Sequence, residues 1–252
     1  TRLEQVLKKD AQKVPLVMLT VTNNSVGGQP VSMQNIRDVA RACKKHKKLF
    51  FLDACRFAEN AFFIKERGLG YAGKTIPEIV REMFSYADGF TFSAKKDGLS
   101  NIGGILACRD KKIFQDLKNL LIVIEGFPTY GGLACRDLES IAVGIREAVS
   151  PEYLRNRVRQ VRLLADELHK TGVPIVRPTG GHAVYVDGKK FFQHIPQREF
   201  PAQTLTAELY LEAGVRAVEL GTSCFGRNEG GNEIMPELDL MRHAIPRRMY
   251  TD

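Results

Sequence analysis

Three short apolar runs, residues 16–22, 49–53 and 89–93, constrain this chain more than any other feature. Each is bounded by turn-forming residues and separated from the next by a stretch with helical spacing of apolar positions. The run Leu16-Val17-Met18-Leu19-Thr20-Val21-Thr22 shows no alternation of apolar and polar residues, as expected of a strand covered on both faces. Gly27-Gly28-Gln29-Pro30 breaks it. Ser32 then caps a helix carrying Met33, Ile36, Val39 and Ala40 on one face, which ends in a basic run at the negative end of its dipole. A strand follows at residues 49–53, a helix at 76–86, strands at 89–93 and 103–108, and a helix at 112–121. Such alternation predicts an α/β fold with a mainly parallel sheet. After Ser150-Pro151 the pattern becomes a long helix at 152–171, short strands at 173–176 and 183–187, a helix at 203–213 and a strand at 215–219. That pattern predicts a smaller α+β domain, so we divide the chain into residues 1–149 and 150–252.

In such sheets ligands bind outside the carboxyl ends of the strands, which is where Asn24, Asp53 and Ser93 fall. Asp53 closes the run Leu49-Phe50-Phe51-Leu52-Asp53, and Lys96 lies three residues past the end of the run Gly89-Phe90-Thr91-Phe92-Ser93. A carboxylate at one strand end and an amine just past another are the two groups that pyridoxal phosphate needs. The coenzyme is held through its aldehyde on a lysine amine, and a carboxylate facing its ring nitrogen keeps that nitrogen protonated so that the ring can take up electrons. Lys96 sits between two β-prone runs, and partial desolvation there, with Lys95 as a cationic neighbour, favours a nucleophilic amine.

The segments that carry these residues also resemble a known family. Asn24-Ser25-Val26-Gly27-Gly28-Gln29-Pro30-Val31-Ser32, Asp53-Ala54-Cys55-Arg56-Phe57-Ala58-Glu59-Asn60-Ala61, Ser93-Ala94-Lys95-Lys96-Asp97, Glu125-Gly126-Phe127-Pro128-Thr129-Tyr130-Gly131-Gly132 and Ala244-Ile245-Pro246-Arg247-Arg248 are similar, in order, to blocks of the β-eliminating lyases. That family comprises tryptophanase and tyrosine phenol-lyase, and the likeness runs through essentially the whole chain. It implies the aspartate aminotransferase-like fold of type I pyridoxal phosphate enzymes, with part of the large domain followed by an incomplete small domain. Family members extend beyond this chain at both ends, and the upstream part carries the main phosphate loop and a tyrosine offered to a neighbouring subunit.

The resemblance also implies roles. Lys96 would carry the coenzyme and move the substrate's α-proton, with Asp53 on the ring nitrogen. Arg56 and Asn24 would hydrogen-bond the coenzyme's phenolic oxygen, and Ser93 and Lys95 would lie near its phosphate. Arg242 would grip the substrate carboxylate with the fork that only a guanidinium offers, in competition on spacing alone with Arg227, Arg247 and Arg248. Asn101 falls where the family contributes to a monovalent cation site, activated by K+. At Glu219-Leu220-Gly221 the phenol-lyases carry an arginine in the middle position, which recognises the tyrosine hydroxyl. Leu220 cannot make that hydrogen bond, so an indole-type side chain is expected. His182 is read as structural. The expected reaction is β-elimination from an L-amino acid to pyruvate, ammonia and the released side chain, with tryptophan as substrate. Tyrosine phenol-lyase or C–S lyase activity is the alternative, and a non-catalytic fragment is the alternative of a different class.

Composition removes other classes. With 252 residues, 44% hydrophobic and 26% charged, the chain can bury a sizeable core. No stretch approaches the about 20 apolar residues of a membrane span, and the first residues contain no signal-type apolar region, so a cytoplasmic enzyme is expected. The net charge of +8 invites a nucleic-acid reading. Its basic clusters, at residues 41–48 and 155–162, nevertheless lie on helices whose other face is apolar, and no binding motif accompanies them. Five cysteines without paired spacing predict reduced thiols. The expected partners are an amino-acid substrate and further copies of the chain, as a homodimer or homotetramer, with neither nucleic acid nor membrane.

Overall fold

The computed structural model describes residues 1–129 and 131–249. It contains two compact units. The first comprises Thr1–Thr22 and Pro30–Leu154, and the second comprises Asn23–Gln29 and the chain from Arg155 onward.

The first unit opens with α1 (Arg2–Asp10), whose capping box joins Thr1 and Glu4, and β1 (Leu16–Thr20). Ser32 caps α2 (Met33–Lys45) by accepting a hydrogen bond from the Asn35 N–H. Then come β2 (Leu49–Asp53), α3 (Phe57–Arg67), α4 (Ile76–Ser85), β3 (Gly89–Ser93), β4 (Gly104–Cys108), α5 (Lys111–Ile124) and α6 (Cys135–Ala148). The strands lie in the order β1-β2-β3-β4; the first three are parallel, and β4 runs antiparallel to β3. A short turn can join antiparallel neighbours, whereas the parallel pairs need their helical crossovers. Phe50, Leu52, Ile36, Ile76, Ile79, Met83 and Phe92 fill the core between sheet and helices.

Helix α3 has no counterpart in the sequence reading, and the reason is physical. It starts at Phe57 without a side-chain cap from its own N-cap residue, Arg56, and it buries Glu59 and Asn60 among its apolar residues, which blurs the amphipathic pattern.

Helix α7 (Pro151–Lys170) contains the division between the units. Beyond it the second unit builds β5 (Ala183–Asp187), α8 (Gly188–Phe191), α9 (Pro201–Ala213), β6 (Val218–Leu220), α10 (Thr222–Phe225) and β7 (Leu240–Ala244). Its sheet is antiparallel in the order β5-β7-β6. One face carries Ala183, Tyr185 and Leu240; on the other, Val184 meets Val161 and Ala165 of α7, and Val186 meets Met241 and Leu205. Asp239, fully buried, accepts hydrogen bonds from the N–H groups of Ala202 (3.0 Å) and Thr222 (2.9 Å), so one carboxylate caps both α9 and α10. The stretch 173–176, expected as a strand, makes only an isolated bridge between Ile175 and Val186. Pro174 has no N–H to offer a ladder, and Pro178 follows closely.

Candidate active site

In the first unit the site is built at the carboxyl ends of β2 and β3. These strands pair in register, Asp53 opposite Thr91, which places the Asp53 carboxylate beside the start of the Ser93–Lys96 turn. Cys55 joins the two ends: the Cys55 N–H donates to Asp53 Oδ1 (3.4 Å), and Cys55 Sγ accepts from the Ser93 N–H (3.4 Å). Burial pushes the Cys55 thiol up from its ordinary pKa, and a hydrogen bond to the Asp53 carboxylate adds to this, while the charge of nearby Lys96 opposes it. The thiol is therefore a neutral donor at physiological pH. Lys96 is half-buried and Lys95 exposed. The Lys96 N–H closes a turn onto the Ser93 carbonyl (3.2 Å), and the Lys96 carbonyl accepts from the Leu99 N–H (3.0 Å).

The residue after Lys96 explains how helix α3 starts. Asp97, 1% exposed, accepts from the N–H groups of Ala58 (2.8 Å) and Glu59 (3.2 Å) with one oxygen, Oδ2. It is the missing cap, supplied from about 40 residues downstream, and its own N–H donates to the Cys55 carbonyl (3.3 Å). The loop that carries Lys96 is thereby fastened to the segment that carries Asp53 and Arg56. Arg56, buried in the N-cap position, donates from Nη1 to the Thr22 carbonyl (3.5 Å). Asn60 binds Thr22 and both backbone groups of Val31, so one carboxamide holds the two chain ends that flank residues 23–29. From outside, α6 approaches the Lys96 loop so closely that a Cβ on Gly144 would collide with the Gly98 carbonyl.

In the second unit, three residues distant in sequence share one setting. Register pairs Arg242 of β7 with Tyr185 of β5 and with Val218 of β6, and pairs Leu220 with Leu240, so Tyr185, Arg242 and Leu220 project from the same face of the sheet. Leu220 packs against the apolar group of Ala183, Tyr185 and Leu240. Arg242 is half-buried, and its Nε is buried without a hydrogen-bond partner among the described residues. Asn24 joins this unit through its side chain, since Tyr185 Oη lies 2.9 Å and His182 Nε2 3.3 Å from Asn24 Oδ1. His182, 2% exposed, also meets Tyr185 Oη at 2.8 Å.

The expected site residues thus fall into two groups: Asp53, Arg56, Ser93, Lys95, Lys96 and Asn101 in the first unit, and Asn24, Arg242 and Leu220 in the second. Asn101 is exposed in the bend before Gly103. Among the described residues no group of three or more His, Cys, Asp or Glu side chains could hold a metal ion. Tyr130, within the block 125–132, lies outside the described residues. The five cysteines are free thiols, and no helix among the described residues is long and apolar enough to cross a membrane. Sequence reasoning missed Asp97, Cys55 and Tyr185. Only Asp97 left a signal, because a helix that begins without a local acceptor must take its cap from elsewhere.

The three parallel strands with an antiparallel fourth, and a small antiparallel sheet after a long helix, define the fold of type I pyridoxal phosphate enzymes. A solved structure from Listeria monocytogenes, described as an L-allo-threonine aldolase, shares this fold with a TM-score of 0.60 at 16% identity, over 96% of this chain and 57% of that one. The family profile described as beta-eliminating lyase matches residues 1–252, and the chain belongs to that family, whose members depend on pyridoxal phosphate. A tryptophanase from Salinibacter ruber is 54% identical over 99% of this chain and 53% of its own length. A tyrosine phenol-lyase from Intrasporangium calvum is 52% identical over 96% of this chain and 51% of its own length. The chain spans about half the length of the curated relatives it matches.

Proposed function

We propose that this chain forms part of a pyridoxal phosphate-dependent lyase that releases pyruvate, ammonia and a side chain from an L-amino acid, with tryptophan the preferred substrate. The observation that carries the reading is the pairing of strand ends, where Asp53 and the Lys96 turn are joined by Cys55 and fastened by Asp97. The groups present suit the coenzyme: an amine, an accepting carboxylate, a buried guanidinium in Arg56 and a hydroxyl in Ser93. Arg242 adds a buried Nε that a carboxylate would satisfy.

When bound, the coenzyme supplies a sink for the electron pair left on the substrate's α-carbon. Lys96 would hold it through its amine, and Lys96 Nζ is the base that would take the substrate's α-proton. Asp53 would keep a proton on the ring nitrogen by accepting its hydrogen bond. Arg56 and Asn24 would hydrogen-bond the phenolic oxygen, Ser93 and Lys95 would serve the phosphate, and Arg242 would take the substrate's carboxylate. Asn101 would contribute an oxygen to a K+ site. The exposed apolar stretch of α5, with Leu120, Leu121, Val123 and Ile124, supports assembly as a homodimer or homotetramer.

Relatives bearing both names are similarly close, so identity does not separate the two substrates. Leu220 favours tryptophan, because it belongs to an apolar group and leaves a phenolic hydroxyl without a partner. The test is pyruvate release by the full-length protein on tryptophan, tyrosine and S-alkyl cysteines in potassium buffer, with borohydride trapping of the bound coenzyme. Tryptophan should give the highest kcat/KM by about tenfold or more, and the pyridoxyl label should map to Lys96. A higher value for tyrosine would overturn the substrate, and a label on Lys95 would overturn the assignment of Lys96. Normal labelling with no elimination from any substrate would overturn the reaction.

A further inference from the structure

Tyr185 is buried to 1% exposure in the middle of β5, yet its hydroxyl is fully engaged. Its oxygen lies 2.9 Å from Asn24 Oδ1 and 2.8 Å from His182 Nε2, and the third side of the triangle, His182 Nε2 to Asn24 Oδ1, is 3.3 Å. A phenol has one proton to give. A carboxamide oxygen can only accept, so the Tyr185 proton goes to Asn24, and the Tyr185 oxygen is left to accept from His182 Nε2–H. The chain of donors runs from His182 through Tyr185 to Asn24, with the Asn24 oxygen satisfied and, among the described residues, its two amide protons still to give.

The backbone beneath Asn24 is fixed by separate contacts. Asn23 Oδ1 accepts from the Ser25 N–H (2.9 Å), the Gly28 N–H donates to the Asn23 carbonyl (2.9 Å), and Gln29 Nε2 donates to the Pro178 carbonyl (2.7 Å). Gly28, at φ +70°, lies so close to the triangle that a Cβ there would come within 2.9 Å of His182 Cε1 and 3.2 Å of Tyr185 Cε2. With the loop held from below, the remaining freedom of Asn24 is rotation of its carboxamide, and the Tyr185 hydroxyl removes it.

We propose that Tyr185 is a positioning residue that locks the Asn24 carboxamide with its NH2 group outward, which makes Asn24 a donor for an anionic oxygen and unable to present its own oxygen to a ligand. This rests on the coenzyme reading above, in which the anionic oxygen is the phenolic oxygen of pyridoxal phosphate. A merely structural tyrosine would contribute packing, which phenylalanine supplies equally well. A positioning tyrosine reaches the coenzyme through Asn24.

The experiment is a double-mutant cycle on coenzyme affinity in the full-length protein, with Tyr185→Phe, Asn24→Ala and both together, read by equilibrium dialysis and by the pH titration of the bound coenzyme's visible absorbance. Tyr185→Phe should weaken coenzyme binding about five- to tenfold, the loss of one oriented hydrogen bond, and should move the absorbance titration to higher pH. In the Asn24→Ala background the same substitution should change neither. A selectively 15N-histidine-labelled, coenzyme-free sample at alkaline pH should show His182 as the Nε2–H tautomer, a readout that needs neither a substituted nor a loaded protein. An Nδ1–H tautomer would reverse the polarity of the triangle and overturn the inference, as would equal effects of Tyr185→Phe in the two backgrounds. A protein that carries no coenzyme on Lys96 would overturn the coenzyme reading, and the tautomer would then still decide the orientation of Asn24.

Discussion

Replacing Asp97 separates its structural work from the chemistry of its neighbour Lys96. Its Oδ2 holds the N–H groups of Ala58 and Glu59 at 2.8 and 3.2 Å in a fully buried setting. Asp97→Ala leaves both donors without an acceptor. Hydrogen bonds to a charged group contribute about 1.5–3 kcal/mol net, and loss of a helix cap costs about 0.5–2 kcal/mol. Because these figures describe the same two bonds, they overlap, and we expect a loss of about 3 kcal/mol. Asp97→Asn keeps an oxygen in place and forfeits only the attraction between a full charge and the helix N-terminus, about 1 kcal/mol. Hydrogen exchange reads this locally. In Asp97→Ala, protection of the Ala58 and Glu59 amides should fall about 100-fold, since 1.4 kcal/mol is tenfold, while Asp97→Asn should lose less than tenfold. Borohydride labelling of Lys96 should fall in parallel, because the same carboxylate anchors its loop. Unchanged protection at Ala58 and Glu59 in Asp97→Ala would refute the reasoning, as would an asparagine variant as impaired as the alanine.

Two further predictions concern the first unit. Glu82 is half-buried, and this partial burial opposes ionisation, but hydrogen bonds from Lys74 (2.8 Å), Tyr71 (2.7 Å) and Arg37 (2.5 Å) more than offset it and bring its carboxyl to about 2 from an ordinary 4.5. A pKa depressed on folding gives stability that is full above pH 4.5 and is lost as pH falls toward 2; at about 1.4 kcal/mol per pH unit, and discounted for the 18% exposure of the side chain, it is worth about 2 kcal/mol. Glu82→Gln should lower Tm at pH 7 and flatten its fall between pH 5 and 2, and parallel Tm curves for the two proteins would contradict this. Gly144→Ala should destabilise by about 1–3 kcal/mol through its clash with the Gly98 carbonyl, although alanine in place of a helical glycine ordinarily stabilises by about 1 kcal/mol; a rise in Tm would show that the Lys96 loop can yield.

The sequence by itself determined the parallel strands and the residues that close them. Leu49-Phe50-Phe51-Leu52-Asp53 is a buried strand from its composition alone, because an unbroken apolar run of four fits a covered strand and the polar Asp53 ends it. Ser32 announces its helix because the cap accepts from an N–H three residues away, a contact that is local in the chain. Asp53 and Lys96 were legible for the same reason, since each stands in fixed relation to a strand end. What only tertiary structure decided is everything that depends on partners far along the chain. Helix α3 takes its cap from Asp97, Asn60 ties Thr22 to Val31, and residues 23–29 belong with the second unit, where Tyr185 and His182 hold Asn24 across more than 150 positions of sequence. Hydrogen bonds of this kind leave no periodicity, because their spacing is set by how the strands and helices pack and not by the pitch of any one of them.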